Sequence, residues 1–212
     1  MPNWCYTDMY IKGSKEEVKR LQELLHKWIS KNQVNSPKYA YFGDNWLGNV
    51  VHGAGFKTSD EAVGGYKCRG YIEYLGKMTK FKGEENQYYI EVQYESAWYS
   101  MHEMWYAVLE KYAPNCDMIW YAEEPGCAIY ETNDTDELFF KGTYVVSCYL
   151  EDNTPLEKLF KTGGCITSVE LEKKLSKILG KYSLPVLIDK ANHMDLGDYQ
   201  DFHIYKIEYS YA

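Results

Sequence analysis

The first strand of the chain is legible from a period of two. Cys5, Thr7, Met9 and Ile11 fall on one face and Tyr6, Asp8 and Tyr10 on the other, which predicts a strand running to about Lys12. At Ser14 the period changes. Ser14 and Glu17 form a capping box. Val18, Leu21, Leu24, Leu25, Trp28 and Ile29 then recur at the three-and-four spacing of a helix, with Lys15, Glu16, Lys19, Arg20, Glu23 and Lys27 left for water. Periodicity fades from Gln33 to Gly65, where Ser36-Pro37, Gly43, Gly48, Gly53, Gly55 and Gly64-Gly65 punctuate a glycine-rich insertion at about residues 33–66. One short strand is expected inside it, near Leu47 to His52. Structureless loops of this length inside a domain are often functional.

Strand patterns return from Cys68 to Phe81 and from Tyr88 to Tyr94, joined by Gly83-Glu84-Glu85-Asn86. Met101, Met104, Trp105, Val108, Leu109 and Tyr112 predict a second helix, which Pro114-Asn115 ends. Cys116 to Tyr121 and Cys127 to Tyr130 read as strands on either side of a Glu124-Pro125-Gly126 turn. After Asp136 the chain begins again with a strand over Leu138 to Leu150. Thr154 and Glu157 cap a short helix, and Thr167 and Glu170 cap a longer one with Val169, Leu171, Leu175, Ile178 and Leu179 apolar. Leu184 to Ile188 and Phe202 to Tyr211 are strand-like. The expected division is a first domain over 1–136 and an α+β extension over 137–212 packed on it, since no Ser/Gly/Pro-rich linker separates them.

The first 133 residues thus run strand, helix, strand, strand, helix, strand. That order predicts an α+β protein of the ferredoxin-like, split βαβ kind, an antiparallel sheet with two helices on one face. Specific motifs carry the expectation further. Met-Pro-Asn-Trp-Cys at residues 1–5, Tyr89-Ile90-Glu91-Val92-Gln93-Tyr94-Glu95-Ser96-Ala97-Trp98 leading into a helix, and Tyr112-Ala113-Pro114 followed by Tyr121-Ala122-Glu123-Glu124-Pro125-Gly126 resemble the YubB-type ferredoxin-like family of phage and plasmid proteins. The resemblance covers roughly residues 1–133. It implies the ferredoxin-like fold, a mobile-element origin and a bacterial host cell, but no established activity.

Composition adds two features. There are 22 tyrosines among 212 residues, and such residues suit half-exposed strands or an aromatic recognition surface. The net charge of −8 is concentrated between Tyr112 and Phe140, where Asp117, Glu123, Glu124, Glu131, Asp134, Asp136 and Glu137 stand without a single Lys or Arg. An acidic field repels phosphate backbones and attracts basic surfaces, so direct nucleic-acid binding is disfavoured and a basic protein partner is favoured. Carboxylates on alternate strand positions would lie about 7 Å apart, comparable to phosphates along a nucleic-acid strand. No apolar run approaches the roughly 18 residues of a membrane span, and no basic segment leads into an apolar core at the N-terminus. Six scattered cysteines without a CxxC pair argue for buried free thiols and a cytoplasmic setting.

Chemistry is sparse. His102-Glu103 lacks a second histidine at helical spacing, Gly53-Ala54-Gly55 lacks the rest of a dinucleotide loop, and His26 and His102 are expected at the surface. Three functional classes remain. The first is a non-catalytic accessory protein of a phage or mobile element that binds a basic host protein through the seven carboxylates. It would act as an anti-CRISPR or anti-restriction inhibitor of a nucleic-acid-handling defence enzyme. The second is a single-stranded nucleic-acid module stacking bases on Tyr71, Tyr74 and Tyr89, with Lys67, Arg69, Lys77, Lys80 and Lys82 as its basic patch. The third is a small metal-dependent enzyme built on His193 with Asp189 and Asp195. The leading expectation assigns no catalytic residue, no metal ligand and no cofactor.

Overall fold

Alternation and capping act in the computed structural model much as they read in the chain; it describes residues 3–30, 42–150, 154–161, 163–196 and 200–210. The chain is a mixed α+β protein that divides into two compact units, Met1–Ile129 and Tyr130–Ala212.

In the first unit, strand β1 (Trp4–Ser14) leads directly into helix α1 (Lys15–Ile29), whose first free N–H groups are met by the Ser14 hydroxyl accepting from Glu17 N. A second helix, α2 (Leu47–Gly53), precedes β2 (Gly70–Leu75), β3 (Thr79–Lys80) and β4 (Gln87–Ala97). Helix α3 (His102–Tyr112) and strand β5 (Asp117–Glu124) follow, closed by a 3-10 turn at Pro125–Cys127. The strands are ordered β5-β1-β4-β2, with β3 also on β4, and β1–β4, β1–β5 and β2–β4 all pair antiparallel. Val18, Leu21, Leu25 and Trp28 of α1 and Met104, Trp105, Val108 and Leu109 of α3 join Met9, Ile11, Ile90, Val92, Tyr94, Met118 and Trp120 in one core. Both helices therefore cover the same face of the sheet, and the other face is left to the alternate strand positions.

The second unit holds a three-stranded antiparallel sheet ordered β8-β7-β9 from Tyr144–Tyr149 (β7), Gly164–Ile166 (β8) and Asp201–Lys206 (β9). Helices α4 (Pro155–Leu159), α5 (Ser168–Leu179) and α6 (Leu184–Asn192) pack on it around Val146, Leu156, Phe160, Leu171, Leu175, Leu187 and Phe202. Both expected caps form, with Thr154 accepting from Glu157 N and Thr167 from Glu170 N. Strand β6 (Ile129–Thr132) pairs in parallel with the two-residue β10 (Glu208–Tyr209).

Four expectations are corrected. Leu47 to His52 is helical, because Leu47, Val50 and Val51 repeat at helical spacing and are fully buried. Ser36-Pro37, in the same insertion, lies outside the described residues. Leu184 to Ile188 opens helix α6, with Pro185 in the first turn where its missing N–H costs nothing, and Leu187 and Ala191 turn inward. The boundary falls at Ile129/Tyr130 and not at 136, since Tyr130 stacks on Tyr205 with ring centroids 4.7 Å apart and Glu131 pairs with Glu208. Finally, of the six cysteines only Cys5 and Cys68 are buried, while Cys127 and Cys165 are exposed. The expected strand end at Tyr211 lies outside the described residues. Among the described residues no helix is long and apolar enough to cross a membrane.

Candidate functional site

The sheet face opposite the helices of the first unit is set by strand register. Reading across β5, β1, β4 and β2, one row runs Glu123, Tyr6, Glu95, Tyr71. The next runs Tyr121, Asp8, Gln93, Tyr74, and a third runs Ile119, Tyr10, Glu91. Nearly every tyrosine thus has a carboxylate as a cross-strand or diagonal neighbour, at the 4.5–8 Å separations typical of a sheet face, roughly. Tyr6 and Tyr74 are each 48% exposed, and Asp8, Tyr10, Glu91, Gln93 and Glu95 are half-buried. Ile119 and Tyr121 are buried, so the accessible part lies over β1, β4 and β2.

The polar groups on this face are tied to one another. Tyr10 Oη donates to Glu91 Oε1 at 3.4 Å and Gln93 Nε2 donates to the same oxygen at 3.0 Å. Tyr121 Oη donates to Glu123 Oε2 at 2.8 Å. Strands β1, β2, β4 and β5 contain one cation among them, Lys12, which is buried and bound to Glu84 at 2.7 Å. The unbalanced negative charge is felt by the groups within it. The Glu95 carboxylate, with smaller help from burial, Glu73 and Glu123, raises the Tyr6 phenol. Burial, then Glu91 and Asp8, push Tyr10 up to about 12. Burial, then Glu91 and Glu123, raise the Asp8 carboxyl against the lowering effect of Gln93. Such a face offers ring surfaces and carboxylates together, the two groups that hold a Lys ammonium or Arg guanidinium.

No family model matches this chain, and no curated protein or solved structure matches it either.

The seven carboxylates expected to form one acidic surface are divided between the two units. Asp117, Glu123 and Glu124 belong to the first unit and Glu131, Asp134, Asp136 and Glu137 to the second. Asp117, Asp136 and Glu137 are exposed and Glu123 and Glu131 are half-buried. Glu124 and Asp134 are corrected outright: they are 2% and 3% exposed and serve the backbone. Glu124 Oε1 accepts from Gly126 N at 3.0 Å, capping the 3-10 turn. Asp134 accepts from Leu138 N at Oδ1 and from Phe139 N and Phe140 N at Oδ2, all within 2.9 Å. Carboxylates are short, strong acceptors for loop N–H groups, and a Pro-Gly turn and an Asn-Asp-Thr-Asp loop both leave such donors unpaired.

Tyr71, Tyr74 and Tyr89 do share the open face by register, Tyr71 opposite Glu95, Tyr74 opposite Gln93 and Tyr89 opposite Lys12. Tyr89 is packed edge-on against Tyr10 at 5.6 Å. Their surroundings are acidic, which opposes a phosphate backbone. What the chain reading missed was Asp8, Glu73, Glu91 and Glu95. These lie on three strands far apart in sequence, and their only linear signal was the alternation Tyr6-Asp8-Tyr10 and Glu91-Gln93-Glu95.

Histidines contribute differently from expectation. His26 is exposed as foreseen, but His102 is drawn under Trp120, with ring centroids 3.5 Å apart, and burial lowers it to about 4. Ser100 Oγ lies 2.5 Å from its Nε2, while its buried Nδ1 has no hydrogen-bond partner. Among the described residues no third group orients the ring, so the pair lacks the arrangement of a nucleophile–base triad. His193 sits 3.4 Å from Asp189, both about three-quarters exposed, and among the described residues no three His, Cys, Asp or Glu side chains converge to hold a metal ion.

Proposed function

We propose that the first unit is a ferredoxin-like, split βαβ domain and that the protein is a non-catalytic binding protein whose open sheet face docks a basic surface of another protein. The strand order β5-β1-β4-β2 with antiparallel neighbours supports the fold reading, because it is the order that two interleaved βαβ units generate. The single observation that carries the function is the open face itself. It interleaves Tyr6, Tyr10, Tyr71 and Tyr74 with Asp8, Glu91, Glu95 and Glu123, and its one lysine is neutralised by Glu84. Tyrosine is the residue most used where a protein surface needs apolar area and a polar tip together. The resemblance of the opening motif to phage and plasmid proteins favours a bacterial host protein as the partner. A nucleic-acid-handling defence enzyme has the basic groove that such a face would fill. The acidic carboxylates Asp117 and Glu123 on β5 would extend the same field.

The test compares wild type with Glu91→Lys/Glu95→Lys as tagged baits in nuclease-treated bacterial lysate, with mass spectrometry of the eluates. A stoichiometric protein held by wild type and lost by the double variant is the expected result. Equal capture by both would refute the sheet face, and capture of nothing but nuclease-sensitive nucleic acid would refute the reading as a whole.

A further inference from the structure

A second site lies in the first unit, beyond the Tyr71 end of the open rows, where Trp46 bridges to Tyr71. Between the segment 42–69 and the turn that joins β4 to α3 is a cavity of about 590 Å³, inside the range of small-molecule sites. Its aromatic lining is the buried Trp46, stacked on Phe42 with centroids 4.5 Å apart, and the exposed Trp98 and Tyr99. Its charged lining groups are Lys67, Arg69 and Asp60.

The walls are held in place by backbone and side-chain bonds. Trp98 N donates to the Asn3 carbonyl at 2.9 Å, Ala97 N to the Arg69 carbonyl at 2.9 Å, and Ser96 Oγ to the Tyr99 carbonyl at 2.8 Å. On the facing side Glu61 Oε2 accepts from both Thr58 N and Thr58 Oγ1, which fixes the turn that presents Asp60. One feature is costly unless used. Trp98 has a φ of +75°, a left-handed conformation unfavourable for a bulky side chain, and it leaves 48% of its surface in water. Arg69 is exposed and forms no ion pair with any described residue. Lys67 reaches over the Tyr99 ring at 4.6 Å, and its hydrogen bond to Tyr99, with a smaller effect of Glu103, raises it. Cys68, between the two cations, is buried and pushed up to about 12, so it stays an unreactive thiol.

We infer that this cavity binds a mononucleotide: the base stacks against the exposed Trp98 indole, the phosphate is held by Arg69 and Lys67, and Asp60 accepts from an amino or hydroxyl group. A planar aromatic ring joined to an anion is the ligand chemistry that fits an exposed indole and two cations lining one cavity. An apolar ligand would leave the cations unused, and an inorganic anion would leave the indoles unused. The site is independent of the protein-docking face, so one reading can fail while the other stands.

The experiment is saturation-transfer NMR and calorimetry on the full chain with AMP, GMP, CMP and UMP. The matching nucleosides, inorganic phosphate and a single-stranded oligonucleotide serve as comparisons. The expected result is transfer to base protons of at least one mononucleotide with a Kd of roughly 10 μM to 1 mM. Arg69→Gln should weaken it at least about tenfold, and Trp98→Gly, which suits the left-handed backbone, should do the same with an unchanged circular dichroism spectrum. Glu91→Lys/Glu95→Lys should leave it unaltered. Four results would overturn the inference: no binding of any mononucleotide at about millimolar concentration, nucleosides binding as well as their phosphates, affinity indifferent to both cavity variants, or binding confined to the oligonucleotide.

Discussion

Removing the Asp134 carboxylate should damage the second unit more than removing any exposed acid nearby. The side chain is 3% exposed and accepts three backbone N–H groups, from Leu138, Phe139 and Phe140, at 2.8–2.9 Å. A hydrogen bond to an ionised group is worth about 1.5–3 kcal/mol, which would overcount here if simply tripled. Leu138 is 40% exposed, so its freed N–H can turn to water, while Phe139 and Phe140 are half-buried and rehydrate less easily. Asp134→Ala is therefore expected to cost about 3 kcal/mol. Asp134→Asn retains one oxygen for the Phe139 and Phe140 donors and turns an NH2 toward Leu138 N–H, so roughly half that loss is expected. Asp136→Asn, at an exposed position, should stay within about 0.5 kcal/mol of wild type. Because two units need not unfold together, urea unfolding is best read with amide hydrogen exchange at 138–140. Unchanged exchange at those amides in Asp134→Ala, or a loss no larger than that of Asp136→Asn, would show that the loop does not depend on this carboxylate.

Further outcomes follow from buried groups of the first unit. His102, lowered to about 4 from an ordinary 6.5, stays neutral in the folded chain while the unfolded chain takes up a proton. Stability should therefore be full above pH 6.5 and fall as the pH drops toward 4, by about 2 kcal/mol after allowance for partial exposure. His102→Gln should remove that slope in unfolding curves taken across the range; a slope equal to wild type would refute the assignment. Asp8 has the opposite sign: its raised carboxyl opposes folding once ionised, so the burden is absent below the ordinary 3.8 and present at neutral pH. Asp8→Asn should raise the melting temperature at pH 7 and lose that advantage in acid. At Gly70 an added Cβ would sit 2.0 Å from the Glu95 carbonyl oxygen and 2.8 Å from Ser96 Cα, both backbone. Gly70→Ala should cost about 1–3 kcal/mol by forcing β2 from β4, and an unchanged urea midpoint would contradict the close approach.

Local signals explain which parts of the fold were readable. Ser14, Thr154 and Thr167 cap helices as their spacing to Glu17, Glu157 and Glu170 predicted, because a capping box needs only four consecutive residues. Strand alternation worked for β1 and β4, where a single face is buried by helices. It failed at Leu47–Gly53 and Leu184–Asn192, two short apolar segments whose spacing fits a helix but whose β-branched residues and flanking Gly or Pro favour a strand. In both, packing decided: the i, i+3, i+4 set could be buried and an alternating set could not.

The candidate site was less legible for a reason that lies in topology. A run of seven acids is visible in the chain, but linear density does not distinguish a carboxylate that caps a loop from one that faces a partner. Glu124 and Asp134, both inside the run, turned out to be the most buried of the seven. Asp8 and Glu95, eighty-seven positions apart, stand on adjacent strands of one face because β1 lies between β4 and β5. Only the central placement of β1 brings its Tyr-Asp-Tyr alternation beside Glu91 and Glu95 on one side and Glu123 on the other. The charge of that face is thus a consequence of strand order. It would disappear if β1 were an edge strand, even with every residue of the chain unchanged.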